Sequence, residues 1–434
     1  MAYLVHSPAE RRQMLDAIGA KDVEDLLIDI PPSLRAAPLD LPPGSSEFEV
    51  TSRIRELAGR NRVFPARRVF MGGGVYRRFI PAAVTAVTGA PGFYTAYTPY
   101  QAEASQGTLQ AIFEFQTLIS QLTAMDVANA SLYDGASALA EAAMMAMVQT
   151  GRHEIVVAGR LHPEYLQVLR TYAAGRGVEV VEGEASIGAQ TAAVIFQQPD
   201  FLGLLVDAPT LVDKAHLAGA LAVACVDPVS LAVLAPPGDY GADIAVGEGQ
   251  QLGLPLDFGG PHLGFIACRQ DLVRRLPGRL VGQAFDASGR RGFTLTLTAR
   301  EQHIRRERAT SNICTNHSLC ALAASVYLTY MGPDGLRHVA DVSVARAHRL
   351  AARLGRVPGL QLAFPDAPFL FEFPIRVASP AALAAALAEQ GFLGPLDMGR
   401  WYPDLGGVAT FACTEVNDDE SLELLVGAAQ AALR

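Results

Sequence analysis

At 434 residues, half of them apolar and 18% charged, the chain can bury a core spread over two or three domains and is not a disordered polypeptide. A net charge of −9 argues against a general nucleic-acid binder, which would be basic. No apolar run reaches the roughly 18 residues of a membrane span, and the opening MAYLVHSPAERRQML lacks the pattern of a secretory signal, so a cytoplasmic location and no membrane partner are expected.

In chain order, Ser7, Pro8 and Glu10 mark a helix start: a cap, a proline at the first helical position and a capping-box glutamate. The loop IPPSLRAAPLDLPPG follows, too rich in proline for helix or central strand. Residues 1–64 are therefore read as an N-terminal arm. Between 65 and 332 strand-like runs alternate with helical ones. Glu154–Ala158 precedes the helical HPEYLQVLRTYAAGRG, Val178–Val181 follows, and AAVIFQQP and LAVACVDP flank TLVDKAHLAG. This rhythm predicts a large α/β domain with a parallel sheet covered on both faces. After Gly332-Pro333 come a helical run, the strand-like FLFEFPIRV, the helical AALAAALAEQG, the strand-like GVATFACT and a closing helix. Residues 333–434 are read as a small C-terminal α+β domain.

In such sheets ligands bind at the carboxyl ends of the strands. Three places qualify. In ANASLYDGASALAEA, Asp134 and Gly135 turn into an alanine-rich helix whose first amides can cradle a phosphate or merely be capped. Asp227, ending LAVACVD, can pair with a ring N–H as the partner of pyridoxal phosphate does, or cap the turn VDPVSL. GADIAVGEGQQLG, residues 241–253, is a strand running into a glycine-rich turn. Cup, acid and turn occur in the order used by the aspartate-aminotransferase-like fold (fold type I) of pyridoxal-phosphate-dependent transferases.

That fold holds its cofactor through a lysine amine. The chain has only Lys21, in the arm, and Lys214, on the surface of a helix before Asp227. Arginine, always protonated, is no substitute. The five cysteines lack CxxC spacing and imply a reducing compartment; the histidines and cysteines show no metal-ligand spacing, so no metal site is expected. His162 and His262 receive no role.

Four long stretches, GFYTAYTPYQAEASQGTLQAIFEFQ, ANASLYDGASALAEA, GADIAVGEGQQLGLPLDFGGPHLGF and REQHIRRERATSNICTNHSL, resemble the P-protein of the glycine cleavage system, glycine dehydrogenase (decarboxylating), and within it the first of two subunits. The resemblance covers nearly the whole chain. It implies that Gln251 stands where the cofactor lysine would be, and that no residue here has a covalent catalytic role. It also implies that pyridoxal phosphate is bound by a lysine-bearing second subunit, that the two subunits form an α2β2 heterotetramer, and that glycine is decarboxylated and its aminomethyl group passed to the lipoyl arm of H-protein.

Two segments are then expected to serve the partner's site. Tyr97, Thr98, Tyr100, Gln101, Glu103 and Gln106 crowd polar groups around a proline turn and are expected near glycine at the subunit interface. Thr310, Ser311 and Asn312, after a basic run, are expected near the partner's cofactor phosphate, though they also suit an N-cap for NHSLCALAASVYL. The arginines at 290, 291, 300, 305, 306 and 308 form a basic cluster that could face an acidic carrier. Two other readings stay open: a self-standing pyridoxal-phosphate decarboxylase or lyase using Lys214, and a non-catalytic regulatory relative of the fold.

Overall fold

A computed structural model describes residues 5–36 and 40–434, so residues 37–39 of the proline-rich loop lie outside the described residues. The chain divides into two compact units, Met1–Val63 and Phe64–Arg434. The first contains α1 (Pro8–Ala17), with Ser7 and Glu10 forming the expected capping box, and α2 (Glu47–Ala58), capped in the same way by Ser46 and Glu49.

The second unit is built on seven strands: β1 (Val127–Ala128), β2 (Glu154–Val157), β3 (Glu179–Glu182), β4 (Thr191–Gln198), β5 (Leu221–Val226), β6 (Ile244–Glu248) and β7 (Gly264–Cys268). Their order is β1-β7-β6-β5-β4-β2-β3. From β3 to β6 neighbours are parallel, as expected. β7 is antiparallel to β6. The reason is local: residues 249–263 between them contain no helix, and a strand that returns without a crossover must reverse direction.

Successive residues of a strand face opposite sides of the sheet, and here both sides are buried. On β5, Ala222, Ala224 and Val226 join one core with Phe115 and Ile119 of α3 (Gln106–Thr123) and Leu211 and Ala215 of the helix Ala208–Leu217. Val223 and Cys225 join the other with Leu139 and Met144 of α4 (Gly135–Thr150) and Leu166 and Leu169 of α5 (Pro163–Ala174). The helix Ala208–Leu217 is α6. Two-sided burial explains why the strands read as continuous apolar runs.

A hairpin of β8 (Leu280–Phe285) and β9 (Arg291–Thr296) packs on α3 through Val281 and Phe293. The smaller sheet, order β10-β11-β13-β12, comprises β10 (Gln361–Leu362), β11 (Glu372–Arg376), β12 (Leu396–Asp397) and β13 (Val408–Ala412). Its core takes Leu350 and Leu354 from α7 (Ser318–Leu354), Leu383 and Leu387 from α8 (Pro380–Glu389), and Leu422 and Leu425 from α9 (Asp419–Ala432). α7 passes through Gly332-Pro333 with a kink, Gly332 taking φ 60° where Pro333 can donate no helical hydrogen bond. Residues 69–78, which contain no helix, tie the two parts together. Phe70 accepts from the amide of Ala412, and Tyr76 exchanges two hydrogen bonds with the side chain of Gln250.

β7 approaches the start of α4 so closely that a Cβ on Gly264 would lie 2.2 Å from the carbonyl oxygen of Asp134. Gly264→Ala is expected to destabilise the fold by about 2–3 kcal/mol, read as a lower denaturant midpoint. An unchanged midpoint would show that this close approach is not needed.

Candidate functional site

At the carboxyl end of β5, Asp227 uses its two oxygens for different tasks. Oδ1 accepts from the amides of Val229 and Ser230, both at 2.9 Å, which fixes the turn. Oδ2 faces inward and accepts from Nε2 of Gln251 at 2.5 Å. The other end of that amide, Oε1, accepts from Nε of Arg78 at 2.6 Å. Arg78 is buried, pairs with Glu415 at 2.7 Å and lies over the ring of Phe371. Glu415, Arg78, Gln251 and Asp227 thus form one line of charge-assisted hydrogen bonds. Only a side chain that both donates and accepts can sit between the guanidinium and the carboxylate.

The cup at α4 is formed but filled from within. Asp134 caps the helix, accepting from the amide of Ser137 at 2.7 Å. The amide of Gly135 donates to Oε2 of Glu248 at 3.0 Å. Oε1 of Glu248 accepts from the amides of Gln250 and Leu263, each at 2.9 Å. Burial raises the pKa of this carboxyl, while the three amides and nearby His262 pull it back. With three donors aimed at it, the group is placed as a carboxylate. The hydroxyl of Tyr165 closes the same corner, 2.3 Å from where a Cβ on Gly135 would be. Of the two readings of this turn, a phosphate cradle or a cap, the structure shows the cap, with the amides of Gly135 and Ser137 engaged by carboxylates of the chain itself.

Between these groups lies a cavity of about 50 Å³, lined by Tyr76, His162, Tyr165, Asp227, Gln251 and Glu372 among others. His162 stacks on Tyr165 with centroids 4.6 Å apart and meets the carbonyl of Gly73 at 2.9 Å through Nε2; burial lowers its pKa. Glu372 accepts from the amide of Gly73 and the hydroxyl of Tyr76, and burial pushes its carboxyl up to about 7. Burial likewise pushes Asp200 up to about 6. At roughly 10–15 Å³ per water the cavity holds a few waters, too little for a pyridine ring and its phosphate. Glu248 would in addition repel a phosphate at the cup. The residues present do not fit pyridoxal phosphate.

The segments expected at a partner's site lie elsewhere in the unit. Tyr97 is 84% exposed and Tyr100 60%. Gln101 and Glu103 are exposed and Thr98 is half-buried. The Gln106 amide is committed to backbone, donating to Ala102 and Phe293 and accepting from the amide of Phe293, so it ties α3 to β9. Thr310 and Ser311 line a separate small cleft with Arg274, Arg275 and Arg300. They do not cap the next helix, which is preceded by His317 and begins at Ser318. Asn312 is exposed. The arginine cluster divides: Arg300 donates to the carbonyls of Leu276, Gly278 and Leu297, and Arg290 pairs with Asp286. Lys214 pairs with Glu184 at 2.8 Å on the surface of α6 and does not line the cavity.

Sequence reading missed Tyr76, His162, Tyr165, Glu248 and Glu372 as members of the cavity, and Arg78 as the partner of Gln251 behind it. It also missed Arg279, which is 3% exposed. Arg279 donates to the hydroxyls of Tyr100 and Thr315, and among the described residues no carboxylate lies within ion-pair distance of it. A basic residue beside the glycine of PGR was the only available signal. All five cysteines are free, no cluster of His, Cys, Asp and Glu among the described residues could hold a metal, and no described helix is long and apolar enough to cross a membrane.

A seven-stranded sheet with an acid at the end of β5, a capped helix N-terminus beside it and a smaller C-terminal sheet defines the fold of the type I pyridoxal-phosphate enzymes. An alanine–glyoxylate aminotransferase from Nostoc sp. shares this fold, with a TM-score of 0.60 at 14% identity over 93% of this chain and 98% of its own. The family model described as glycine cleavage system P-protein matches residues 1–428, and the chain belongs to that family. A Moorella thermoacetica protein named "Probable glycine dehydrogenase (decarboxylating) subunit 1" is 50% identical, covering 99% of each chain. The crystal structure of a glycine decarboxylase (P-protein) of the glycine cleavage system, in inhibitor-bound form, superposes with a TM-score of 0.92 at 46% identity over the full length of both chains.

Glu372 makes the cavity sensitive to pH. Its folded-state pKa, about 7, lies above the ordinary 4.5, so the folded protein holds this proton more tightly. Its contribution to stability is complete below pH about 4.5 and is lost as pH rises through about 7. Glu372→Gln keeps the shape and removes the titration. Between pH 4.5 and 7 the wild type is expected to lose about 3 kcal/mol relative to the variant. Parallel stability curves in denaturant titrations would refute the assignment.

Proposed function

We propose that this chain is the subunit lacking the cofactor lysine in a glycine decarboxylase that works only with a second subunit bearing that lysine. The observation that carries the reading is Gln251, held between Arg78 and Asp227 at the strand-end turn, in a cavity too small for the cofactor. Pyridoxal phosphate is bound by the second subunit. The pair, doubled as α2β2 in the cytoplasm, removes the carboxyl group of glycine as carbon dioxide and delivers the aminomethyl group to the lipoyl arm of H-protein.

In this reading the present chain supplies a wall of its partner's site. Tyr97, Thr98, Tyr100, Gln101 and Glu103 border the bound glycine, with Gln106 holding the segment to β9 and Arg279 holding Tyr100 from beneath. Thr310, Ser311 and Asn312 provide donors near the partner's phosphate, beside a cleft already lined by arginines. The exposed aromatic rings of Tyr94, Tyr97 and Tyr100 fit a surface covered by another subunit, because aromatics are enriched where protein interfaces exclude water. Arg290 and Arg291 face H-protein.

The decisive experiment is co-expression with a candidate second subunit. Glycine–bicarbonate exchange is expected from the copurified complex and from neither chain alone; exchange by this chain in isolation would end the proposal. Within the active complex, Tyr97→Ala is expected to lower kcat/KM for glycine at least about tenfold, equivalent to about 1.4 kcal/mol of transition-state stabilisation. An unchanged kcat/KM would remove this tyrosine from the glycine site.

A further inference from the structure

The cavity beside Asp227 raises a question about this chain alone: what the first amides of α4 bind if they bind no cofactor. A helix N-terminus carries roughly half a positive charge and unpaired amides, and an anion there is stabilising. The amide of Gly135 is met by the carboxylate of Glu248, which is 8% exposed and engages two further amides. The carboxylate comes from the last residue of β6, three positions before Gln251. The two positions lie on one turn and answer two demands of the fold. Glu248 supplies the anion and Gln251 satisfies the inward oxygen of Asp227.

We propose that Glu248 is a built-in substitute for a phosphate, occupying the anion site at the start of α4 and closing this pocket to phosphorylated ligands. Position 251 is closed in the same sense. A lysine there would still offer a donor to Asp227, but it would set its ammonium beside the buried Arg78 guanidinium and remove the acceptor that Arg78 now uses. Restoring the lysine by itself therefore leaves the pocket shut. The inference rests on the geometry of this chain and stands apart from the two-subunit reading, whose test is glycine exchange.

Two measurements decide it. In the first, thermal unfolding of the full chain is followed in inorganic phosphate against chloride at equal ionic strength. Glu248→Ala is expected to gain at least about 2 °C in Tm with tens of millimolar phosphate. The wild type and Glu248→Gln, in which the side chain still fills the cup, are expected to be unmoved. A shift in the wild type equal to that of Glu248→Ala, or none in Glu248→Ala, overturns the proposal. In the second, which does not need Glu248 replaced, the full chain carrying Gln251→Lys is treated by itself with pyridoxal phosphate and borohydride and mapped by peptide mass. No label at position 251 is expected; label there overturns the proposal.

Discussion

The line from Arg78 through the Gln251 amide to Asp227 constrains everything around it. A guanidinium and a carboxylate are held apart by a side chain that accepts from one and donates to the other. One side chain thus gives a partner both to the Nε of the Arg78 guanidinium and to the inward oxygen of Asp227. The arrangement also anchors residues 69–78, since Arg78 continues to Glu415 and Tyr76 is bonded to the neighbouring Gln250. Buried charge is tolerated only where it is paired and hydrogen-bonded. The site is therefore a structural joint: the turn after β6, the segment 69–78 and the small sheet meet through it.

This joint changes how an absent lysine is understood. Loss of a reactive amine could leave an open pocket with a missing part. Here the groups around Gln251 bond to one another. Glu248 faces amides that a bound phosphate would need, Tyr165 fills the space beside Gly135, and Glu372 links the loop at Gly73 to the phenol of Tyr76. The carboxyl groups of Glu248 and Glu372 are each satisfied inside the chain. Chemistry needs some groups left unsatisfied until substrate arrives, and the described cavity has given most of them partners.

The elements were legible in the sequence wherever a local rule decides them. Ser7 with Glu10, the Asp134-Gly135 turn, and the strands bearing Asp227 and leading to Gln251 follow from capping, turn chemistry and apolar runs. The antiparallel β7 departed from the parallel pattern because residues 249–263 hold no crossover helix. Thr310–Asn312 fit a cap by composition, yet the helix starts at Ser318. The cavity was the least legible part. Gly135 and Glu248 are 113 positions apart, and Tyr76 and Glu372 are 296 apart. Contacts at that range depend on how the two sheets are brought together, which no local pattern records. Glu248 was visible in the motif GEGQQLG, but its partner amides were not.

The two kinds of polar residue in this chain thus behave in opposite ways. Those of the cavity are buried or half-buried, and most bond to other groups of the chain. Several of those in the 97–106 segment are exposed, among them Tyr97, which stands 84% in solvent. Placing phenols and a carboxylate in water gains nothing for the isolated chain, because their hydrogen bonds to solvent are as good as any they could make there. The stability of the subunit comes from the satisfied interior, so the exposed segment is free to be shaped by a neighbour. A closed pseudo-site also makes folding independent of any cofactor supply, whereas a chain whose helix N-terminus awaited a phosphate would be fully stable only when loaded. In the two-subunit reading proposed above, the filled interior and the exposed loop are complementary parts of one division of labour.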